Sequence, residues 1–456
     1  MERHLTVIGG GPAGVEAAVT AANHGARVTL VSDGPVGGRA GWHSLIPSKV
    51  LLHAAQEAQA RGDVGATADG VHQIIRHIAD TCRAWSSHEA VRLQQAGVEL
   101  LTGQAHFTSR SSVVVQEPDG TSQVLAFDSA IVATGSVPVF PDGLQPDGQR
   151  IIAPRLVGKL ERIPATMLVV GGGVTGSEFV FAFAALGAHV TWLVDQYGVL
   201  PPFDRRPVQT LIEAFLGRGV ELVEGVAVQQ LEPSPNAVSA ILEDGRRFEA
   251  EQAFVAIGRR PDLQSLVVQA AGLPPALDGA ARGGLAVDAL CRTAVPQIYA
   301  VGDVTGAPLV VNKGLAQARV AGITAAGVAT EPFRASSLVQ AVYSAPQLAQ
   351  VGLTPDAAAR ADRAVEIRRV PFAHALRAHL EPEGPRGELE LVLDPQRGQT
   401  VLGATAVGPS AAEVLALVAL AIHTGVRADS LAALYPAHPT LAELPGIGSR
   451  GIGSRS

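Results

Sequence analysis

A glycine fingerprint that occurs twice constrains the fold of this chain more than any other feature. In each copy, GxGxxG follows an apolar strand and opens an apolar helix, and a second strand comes after the helix. The copies comprise Gly9, Gly11 and Gly14, and Gly171, Gly173 and Gly176. A helix N-terminus in this setting can hold one pyrophosphate on its free backbone N–H groups. The repeat therefore predicts two βαβ units, each with a dinucleotide site.

Further motifs divide the rest of the chain. AIVATGSVPVFP, residues 130–141, is an apolar strand broken by Thr-Gly-Ser and two prolines, where the chain should leave its first unit. QIYAVGDVTG is another apolar strand, and an acid just past a strand end, here Asp303, can hydrogen-bond sugar hydroxyls. From about Pro332 short alternating strands precede an apolar helix. A third unit without a glycine fingerprint is expected there.

Composition and charge argue against several classes of protein. With 456 residues, 47% of them hydrophobic, the chain can form about three domains with buried cores. Its net charge of −7 comes without a run of like charge, which argues against nucleic-acid partners. No apolar run reaches the roughly 18 residues of a membrane span, and the first strand leaves no room for a signal peptide. A cytoplasmic protein with small-molecule partners is expected.

The ordered series of motifs resembles the class I flavoprotein (pyridine nucleotide-) disulfide reductases, of the dihydrolipoamide dehydrogenase and mercuric reductase type. It comprises the two fingerprints, "GG…IPSK", "ATGSVP", "AIGRRP", "YAVGDVTG", "VYSAPQLAQVGLT" and "HPTLAE". The resemblance implies FAD on the first unit, NAD(P)H on the second and a homodimer formed through the C-terminal unit. The implied fold is α/β, with two Rossmann-like dinucleotide-binding domains and a C-terminal α+β dimerisation domain.

This family architecture sets the expected domain boundaries. They are 1–145 for the first part of an FAD-binding domain, 146–265 for an NAD(P)H-binding domain, 266–330 for a central part that returns to the FAD-binding domain, 331–445 for the dimerisation domain and 446–456 for a flexible tail.

The resemblance also implies roles for individual residues. Lys49 would lie beside N5 of the flavin and pair with Glu178, because reduction adds charge to the ring and a nearby cation stabilises it. His438, oriented by Glu443, would handle protons across the dimer interface. The expected cofactor-binding residues are Gly9, Gly11, Gly14, Asp33, Gly38, Lys49, Ala133, Thr134, Gly135, Gly171, Gly173, Gly176, Asp195, Gly258, Gly302 and Asp303. No metal site is expected.

Two departures from the family bear on the cofactors. Ser32 occupies the usual place of the acid that binds the FAD ribose, and Asp33 next to it is expected to substitute. Asp195 follows the second strand of the second unit, where an acid favours free ribose hydroxyls and repels a 2′-phosphate. NADH is therefore the expected donor. NADPH stays an alternative, since Arg205 and Arg206 are close in sequence.

The redox-active cysteine pair of the family is missing from GGRAGWHSLIPSK, residues 37–49. By resemblance, the pair would stand just ahead of Ile-Pro-Ser-Lys, at positions that hold Ala40 and Leu45. Neither side chain can form a thiolate or store an electron pair. Cys82 and Cys291 are far apart in sequence and match no redox or metal motif. Reduction of lipoamide, glutathione disulfide or Hg(II) by dithiol exchange is therefore not expected.

The leading hypothesis is an FAD-dependent NAD(P)H oxidoreductase that passes electrons directly to a small acceptor such as a quinone. Trp42, His43 and Leu45 would line the acceptor's side of the flavin, although Trp42 and His43 are also suited to filling the space that the cysteine loop leaves. His438 would supply protons to the quinone, with dimer packing as its alternative role.

Two other functions are open. Soluble pyridine nucleotide transhydrogenases resemble this chain and have an incomplete cysteine pair, but they lack the histidine that His438 supplies. An FAD- and NADH-binding sensor or scaffold dimer without turnover is a third class, and the kept Lys49 and Glu178 count against it.

Overall fold

The structure, a computed structural model, describes residues 3–62, 67–274, 283–381 and 384–451, and the backbone of residues 454–455. The chain forms two compact units. The first comprises Met1–Pro47, Arg76–Val139 and Gly258–Phe333, and the second comprises Ser48–Ile75, Phe140–Ile257 and Arg334–Ser456.

The regular elements of the described residues follow in chain order. The α-helices are α1 (Pro12–Asn23), α2 (Leu45–Arg61), α3 (Ala68–Gln95), α4 (Val174–Ala185), α5 (Arg205–Leu216), α6 (Val311–Ala325), α7 (Pro355–Arg360), α8 (Ala411–Thr424), α9 (Ala428–Ala432) and α10 (Leu444–Ser449). The strands are β1 (His4–Ile8), β2 (Arg27–Ser32), β3 (Glu99–Thr102), β4 (Gln104–Ser109), β5 (Ser112–Gln116), β6 (Ser122–Ala126), β7 (Ser129–Val132), β8 (Ser136–Pro138), β9 (Ile151–Ile152), β10 (Thr166–Val170), β11 (His189–Val194), β12 (Glu221–Glu224), β13 (Val228–Pro233), β14 (Val238–Leu242), β15 (Arg247–Ala250), β16 (Gln252–Val255), β17 (Arg259–Pro261), β18 (Ile298–Ala300), β19 (Gln340–Val342), β20 (Gln347–Gly352), β21 (Glu366–Pro371), β22 (Glu388–Asp394), β23 (Thr400–Gly408) and β24 (Ser454–Arg455).

The first unit is built on a parallel sheet with the strand order β18-β7-β1-β2-β3. Strands β1, β2, β7 and β18 are buried on both faces, as expected for a parallel sheet that is covered on both sides, whereas the edge strand β3 is largely exposed. Two clusters of buried side chains cover the sheet, one around Leu5, Val7 and Leu30 and the other around Ile8 and Val31. The carboxyl ends of β1, β7 and β18 consequently meet at one edge.

Helix α1 follows directly from its sequence. Pro12 stands in the first turn, where the missing N–H removes no helical bond. Small residues on one face, among them Ala17, Ala18 and Ala21, are fully buried, and this face allows close packing against α6. Helix α1 and the two strands that flank it confirm the predicted βαβ beginning.

The second unit contains the matching parallel sheet, in the order β12-β11-β10-β16-β9. Helix α4 lies between β10 and β11 and carries Phe179 and Phe183, which pack with Phe254 in ring-to-ring contacts. Because these rings are almost completely buried, they fix the helix on the sheet. The predicted second βαβ unit is confirmed.

The C-terminal part of the second unit is an antiparallel sheet in the order β19-β20-β23-β22-β21-β24. Helix α8 packs on it through Val414, Leu415 and Val418. The start of the expected flexible tail differs from the structure. Residues 446–449 complete α10, where Ile447 is buried and the carbonyl oxygen of Ser449 accepts a bond from Arg368. Apolar side chains in a glycine-rich stretch are enough to dock it.

Candidate active site

The first glycine turn leaves space where a dinucleotide phosphate would approach. Gly9 has φ +114°, and a Cβ there would lie 2.4 Å from the carbonyl oxygen of Ala133. A Cβ on Gly14 would lie 1.8 Å from the carbonyl oxygen of Gly9, so helix and strand touch backbone to backbone. Gly11, in contrast, faces open space, and no acidic side chain stands in the first turn of α1. These three environments fit the three glycine roles of a dinucleotide fold.

A second glycine pair forms the adjoining wall. The N–H of Gly37 donates to the carbonyl oxygen of Gly10 at 2.9 Å. Gly38 has φ +57°, and a Cβ there would lie 2.7 Å from the Cα of Gly11. Gly37 therefore needs to be glycine because of its φ of +102°, and Gly38 because it lies against the fingerprint turn.

Asp303 reaches the same edge of the sheet from β18. Ala300 at the end of β18 pairs with Val132 of β7, and Asp303 lies three residues further on, after Gly302. The hydroxyl of Ser136 donates to Asp303 Oδ2 at 2.6 Å, and Arg259 Nε donates to the same hydroxyl at 2.8 Å. Burial lowers the pKa of Arg259, although the nearby negative charge of Asp303 acts to raise it.

The rest of this edge is formed by residues 133–135 after β7 and by the β17 segment. Thr134 Oγ1 donates to the carbonyl oxygen of Asp262 at 2.6 Å, and Asp262 N–H donates to the carbonyl oxygen of Gly135. Gly135 and Gly258 have positive φ angles of 72° and 129°, with open space beside each. The structure thus brings the predicted FAD residues of this unit to one edge.

Asp33 lies at the end of β2 and is exposed, with 60% of its side chain accessible. Ser32 before it is buried behind the glycine turn, since a Cβ on Gly10 would lie 2.4 Å from its Oγ. Only Asp33 of the two therefore offers a carboxylate at this strand end. The guanidinium of Arg39 lies 3.5 Å from it. Arg39 is a residue that sequence reasoning missed, although its place directly after Gly38 was a signal.

In the second unit, Lys49 of α2 and Glu178 of α4 form a close ion pair. Lys49 Nζ lies 2.8 Å from both carboxylate oxygens of Glu178. Tyr343, which sequence reasoning also missed, completes the arrangement: its ring centroid lies 4.7 Å from Nζ, and its N–H donates to Glu178 Oε1 at 3.1 Å. The pair, with two-thirds of the lysine covered, is a held cation rather than a solvated contact.

The second glycine turn repeats the geometry of the first. Gly171 has φ +121°, and a Cβ there would lie 2.4 Å from the carbonyl oxygen of Ala256. A Cβ on Gly176 would lie 2.0 Å from the carbonyl oxygen of Gly171, while Gly173 faces open space. The N-terminus of α4 has no acidic side chain in its first turn. This turn, too, fits a dinucleotide phosphate.

Asp195 follows β11 at the place where a ribose acid is expected. Its Oδ1 accepts the N–H of Tyr197 at 3.1 Å, which holds the carboxylate in a turn. Arg205 is exposed, and its guanidinium lies 3.6 Å from the position that a Cβ of Gly198 would take. An arginine is therefore near this turn, as its sequence position suggested.

The segment that would carry the redox cysteines is helical. Ala40–Ser44 form a single π-helical turn, and Leu45 begins α2. The indole N–H of Trp42 donates back to the carbonyl oxygen of Val36 at 3.0 Å, which favours the packing role for this residue. His43 is exposed and Leu45 is half-buried.

Both cysteines are free and buried. Burial raises the pKa of Cys291 to about 12 and also raises the pKa of Cys82, whose Sγ donates to the carbonyl oxygen of Gly41. Neither thiol is therefore a thiolate at neutral pH.

The C-terminal histidine and glutamate are in contact. His438 Nδ1 lies 3.1 Å from Glu443 Oε2, and the N–H of Thr440 donates to Glu443 Oε1 at 2.9 Å. Burial acts to raise the pKa of Glu443, but the bonds from Thr440 and His438 outweigh it, so the pKa lies below its ordinary value. The carboxylate is ionised and contacts Nδ1 of an imidazole whose side chain is 63% exposed.

Among the described residues, no group of three or more His, Cys, Asp or Glu side chains is arranged to hold a metal ion. Among these residues no helix is both long and apolar enough to cross a bilayer.

Comparison with known proteins agrees with this geometry. Residues 3–326 match the family model for pyridine nucleotide-disulphide oxidoreductases, and residues 338–446 match the dimerisation domain of that family. Dihydrolipoyl dehydrogenase of Chlorobaculum tepidum is 33% identical over 450 residues, covering 96% of this chain and 94% of the relative. The Staphylococcus aureus dihydrolipoyl dehydrogenase is 32% identical over 460 residues, covering 97% and 95%.

Solved structures show the same likeness. LpdA from Mycobacterium tuberculosis superposes with a TM-score of 0.92 at 28% identity, covering 99% of this chain and 100% of LpdA. Members of the matched family bind FAD and NAD(P)H, and the two glycine turns fit these cofactors. The expected fold class is confirmed. The chain belongs to the pyridine nucleotide-disulphide oxidoreductase family, as an FAD-dependent pyridine nucleotide oxidoreductase of the disulfide reductase type.

Proposed function

We propose that this protein is a homodimeric NADH:acceptor oxidoreductase that works without a disulfide relay and reduces a small quinone-like molecule. When bound, FAD supplies a carrier that accepts a hydride from the nicotinamide and gives two electrons onward. The overall reaction is NADH plus a proton plus quinone to NAD⁺ plus hydroquinone. One observation carries the proposal: the Lys49–Glu178 pair is intact in a chain whose segment 37–49 holds no thiol.

The proposed loss of the relay follows from the chemistry of residues 40 and 45. Ala40 and Leu45 offer neither a nucleophile nor a bond that can be reduced. Cys82 and Cys291 do not replace them, because both are buried with raised pKa values. Electrons that enter from NADH must therefore leave without a protein disulfide.

The proposed role of Lys49 is to stabilise negative charge that develops on the flavin. Glu178 is 4% exposed, so its carboxylate holds the ammonium in one place. Tyr343 covers the cation from another side. An ammonium that is held in advance needs no reorganisation when charge appears.

NADH is the proposed donor on the strength of Asp195. A carboxylate at the end of β11 can accept bonds from ribose hydroxyls and repels a 2′-phosphate. Its fixed position, bonded to the N–H of Tyr197, favours this role. Arg205 and Arg206, both exposed and close in sequence, keep NADPH as the alternative donor.

A quinone suits the remaining side chains because it takes up two protons with its two electrons. His438 keeps its Glu443 partner although the chain has no redox thiols to protonate. A carboxylate-oriented imidazole can act as a general acid or a general base. We therefore assign proton delivery to His438, acting in the partner subunit's site through the dimerisation domain.

Anaerobic half-reactions test the function directly. The flavin of the purified holoprotein should be reduced rapidly by NADH and more slowly by NADPH, and it should then be reoxidised by menadione. Oxidised lipoamide, thio-NAD⁺ and oxygen are the competing acceptors, each added to a separate sample of reduced protein.

The outcomes separate the candidate functions. Fast reoxidation by menadione supports the proposal. Efficient turnover with lipoamide would overturn it, and reoxidation by thio-NAD⁺ alone would identify a transhydrogenase instead. A flavin that NADH fails to reduce within seconds would point to a sensor or scaffold.

A further inference from the structure

Arg39 contacts three chain segments of the first unit, near the edge where the carboxyl ends of the parallel strands meet. Its Nη1 lies 2.6 Å from Asp262 Oδ2 and donates to the carbonyl oxygen of Thr134 at 3.3 Å, and its Nη2 lies 3.5 Å from Asp33 Oδ2. The two carboxylates differ in exposure, since 13% of the Asp262 side chain and 60% of the Asp33 side chain are accessible. The guanidinium thus compensates one shielded and one exposed carboxylate.

These segments lie directly against the glycine turn of α1. Gly38, the residue before Arg39, would contact Gly11 if it carried a Cβ. A Cβ on Gly9 would lie 3.1 Å from the N of Thr134. Asp33 directly follows Ser32, the last residue of β2, which lies behind Gly10. The carboxylates therefore flank the turn that fits the FAD diphosphate.

The charges at this edge are unfavourable without Arg39. A dinucleotide diphosphate is a dianion, whereas a helix N-terminus offers only about half a positive charge. Two uncompensated carboxylates nearby would repel the ligand, most strongly from the shielded Asp262, where water screens least.

We propose that Arg39 is a cofactor-site residue that neutralises Asp33 and Asp262 and so allows the FAD diphosphate to bind. It acts through the two carboxylates and is a positioning residue. The inference rests on FAD binding and is independent of the electron acceptor. This role of Arg39 does not depend on redox cysteines at residues 40 and 45.

The test measures FAD affinity on apo-protein from which the cofactor has been removed, using quenching of FAD fluorescence on titration. Arg39→Met should weaken FAD binding roughly tenfold, as expected for loss of a partly exposed compensating charge. Arg39→Lys, which keeps the charge, should retain most of the affinity. Arg27→Met is the matched control, because Arg27 is exposed on the same unit at the opposite end of β2.

Removal of the repelling carboxylate distinguishes neutralisation from direct contact. Adding Asp262→Asn to Arg39→Met should recover most of the lost affinity, and raising the salt concentration to about 0.5 M should shrink the loss by screening. A double variant no better than Arg39→Met, or an Arg39→Met affinity equal to that of Arg27→Met, would overturn the proposal. Thermal melting of each apo-protein reports folding separately. Since no NADH or quinone is present, failure here leaves the proposed function untouched.

Discussion

Lys49 Nζ lies 2.8 Å from each carboxylate oxygen of Glu178, and the Glu178 side chain is almost completely buried. The two residues come from helices far apart in sequence, α2 and α4. A buried carboxylate requires a counter-charge, so the contact fixes the cation as much as it stabilises the fold. Replacing Lys49 therefore tests the role of the cation directly.

Lys49→Met should slow flavin reduction by NADH about tenfold or more, since the reaction loses a preorganised charge. Stopped-flow measurement of the flavin absorbance at about 450 nm reports the rate. Lys159→Met is the matched control, because Lys159 is exposed and the substitution is identical. Equal rates in the two variants would reduce the pair to a structural contact.

Anaerobic titration with NADH should reduce the protein fully at about one equivalent per FAD, because no disulfide is available to store a second electron pair. Native protein should not react with a thiol reagent before or after reduction, whereas unfolded protein should show both Cys82 and Cys291. Ala40→Cys/Leu45→Cys is the matched control and should accept a second equivalent. A second equivalent in the parent protein would contradict the absence of a relay.

Asp195→Asn should lower the preference for NADH over NADPH about tenfold, because it removes the charge that opposes a 2′-phosphate. The measurement is kcat/KM of each nucleotide with menadione in excess. Asp142→Asn, the same change at an exposed aspartate of the same unit, should leave the preference as it is. An unchanged ratio in Asp195→Asn would mean that another residue selects the nucleotide.

His438→Ala should reduce quinone reduction roughly tenfold while flavin reduction by NADH stays near the parent rate, because protons are needed only in the second half-reaction. Glu443→Gln should give a smaller loss, since it weakens the orientation of the imidazole. His374→Ala, at an exposed histidine of the same unit, serves as the control. Loss of both half-reactions together would assign His438 to packing.

Glu16 gives a pH prediction that is independent of catalysis. Burial acts to raise its pKa, but Arg319 at 2.7 Å and Arg92 at 2.9 Å outweigh it and lower the pKa below the ordinary value. The ionised Glu16 therefore stabilises the folded state at pH values above its ordinary pKa of about 4.3. This stabilisation is lost as the pH falls through the lower pKa that Glu16 has in the folded state.

Glu16→Gln should therefore unfold about 1 kcal/mol more easily at pH 7, and the difference from the parent should shrink below about pH 4. Urea unfolding at the two pH values measures it. Glu161→Gln, at an exposed glutamate, should show no such dependence. A difference that stays constant with pH would exclude the ion pairs as its cause.

Much of the site could be predicted from local sequence because its causes are local. A positive φ or a backbone contact excludes any side chain at four positions of the two turns, so glycine is required there and can be recognised in the sequence. These positions are Gly9, Gly14, Gly171 and Gly176. The order of strand, glycine turn, helix and strand likewise predicted both βαβ units. The start of the expected tail was misjudged because docking of Ile447 depends on a sheet that is distant in sequence.

Arg39 and Tyr343 could not be assigned in the same way. Their roles depend on partners about 200 residues or more away in the chain, Asp262 for Arg39 and Lys49 for Tyr343, and no spacing rule relates such positions. Trp42 was open between two roles, and only the bond from its indole to Val36 favours packing.

The sequence by itself therefore determined the two dinucleotide turns and the absence of sulfur at residues 40 and 45, since each depends on residue type within a short segment. The ordered series of motifs along the chain indicated the family. The resemblance already implied that Lys49 pairs with Glu178, and the structure shows the two in contact. Only the tertiary structure decided that Arg39 compensates Asp33 and Asp262. Electrostatic energy depends on distance and burial, and the fold sets both.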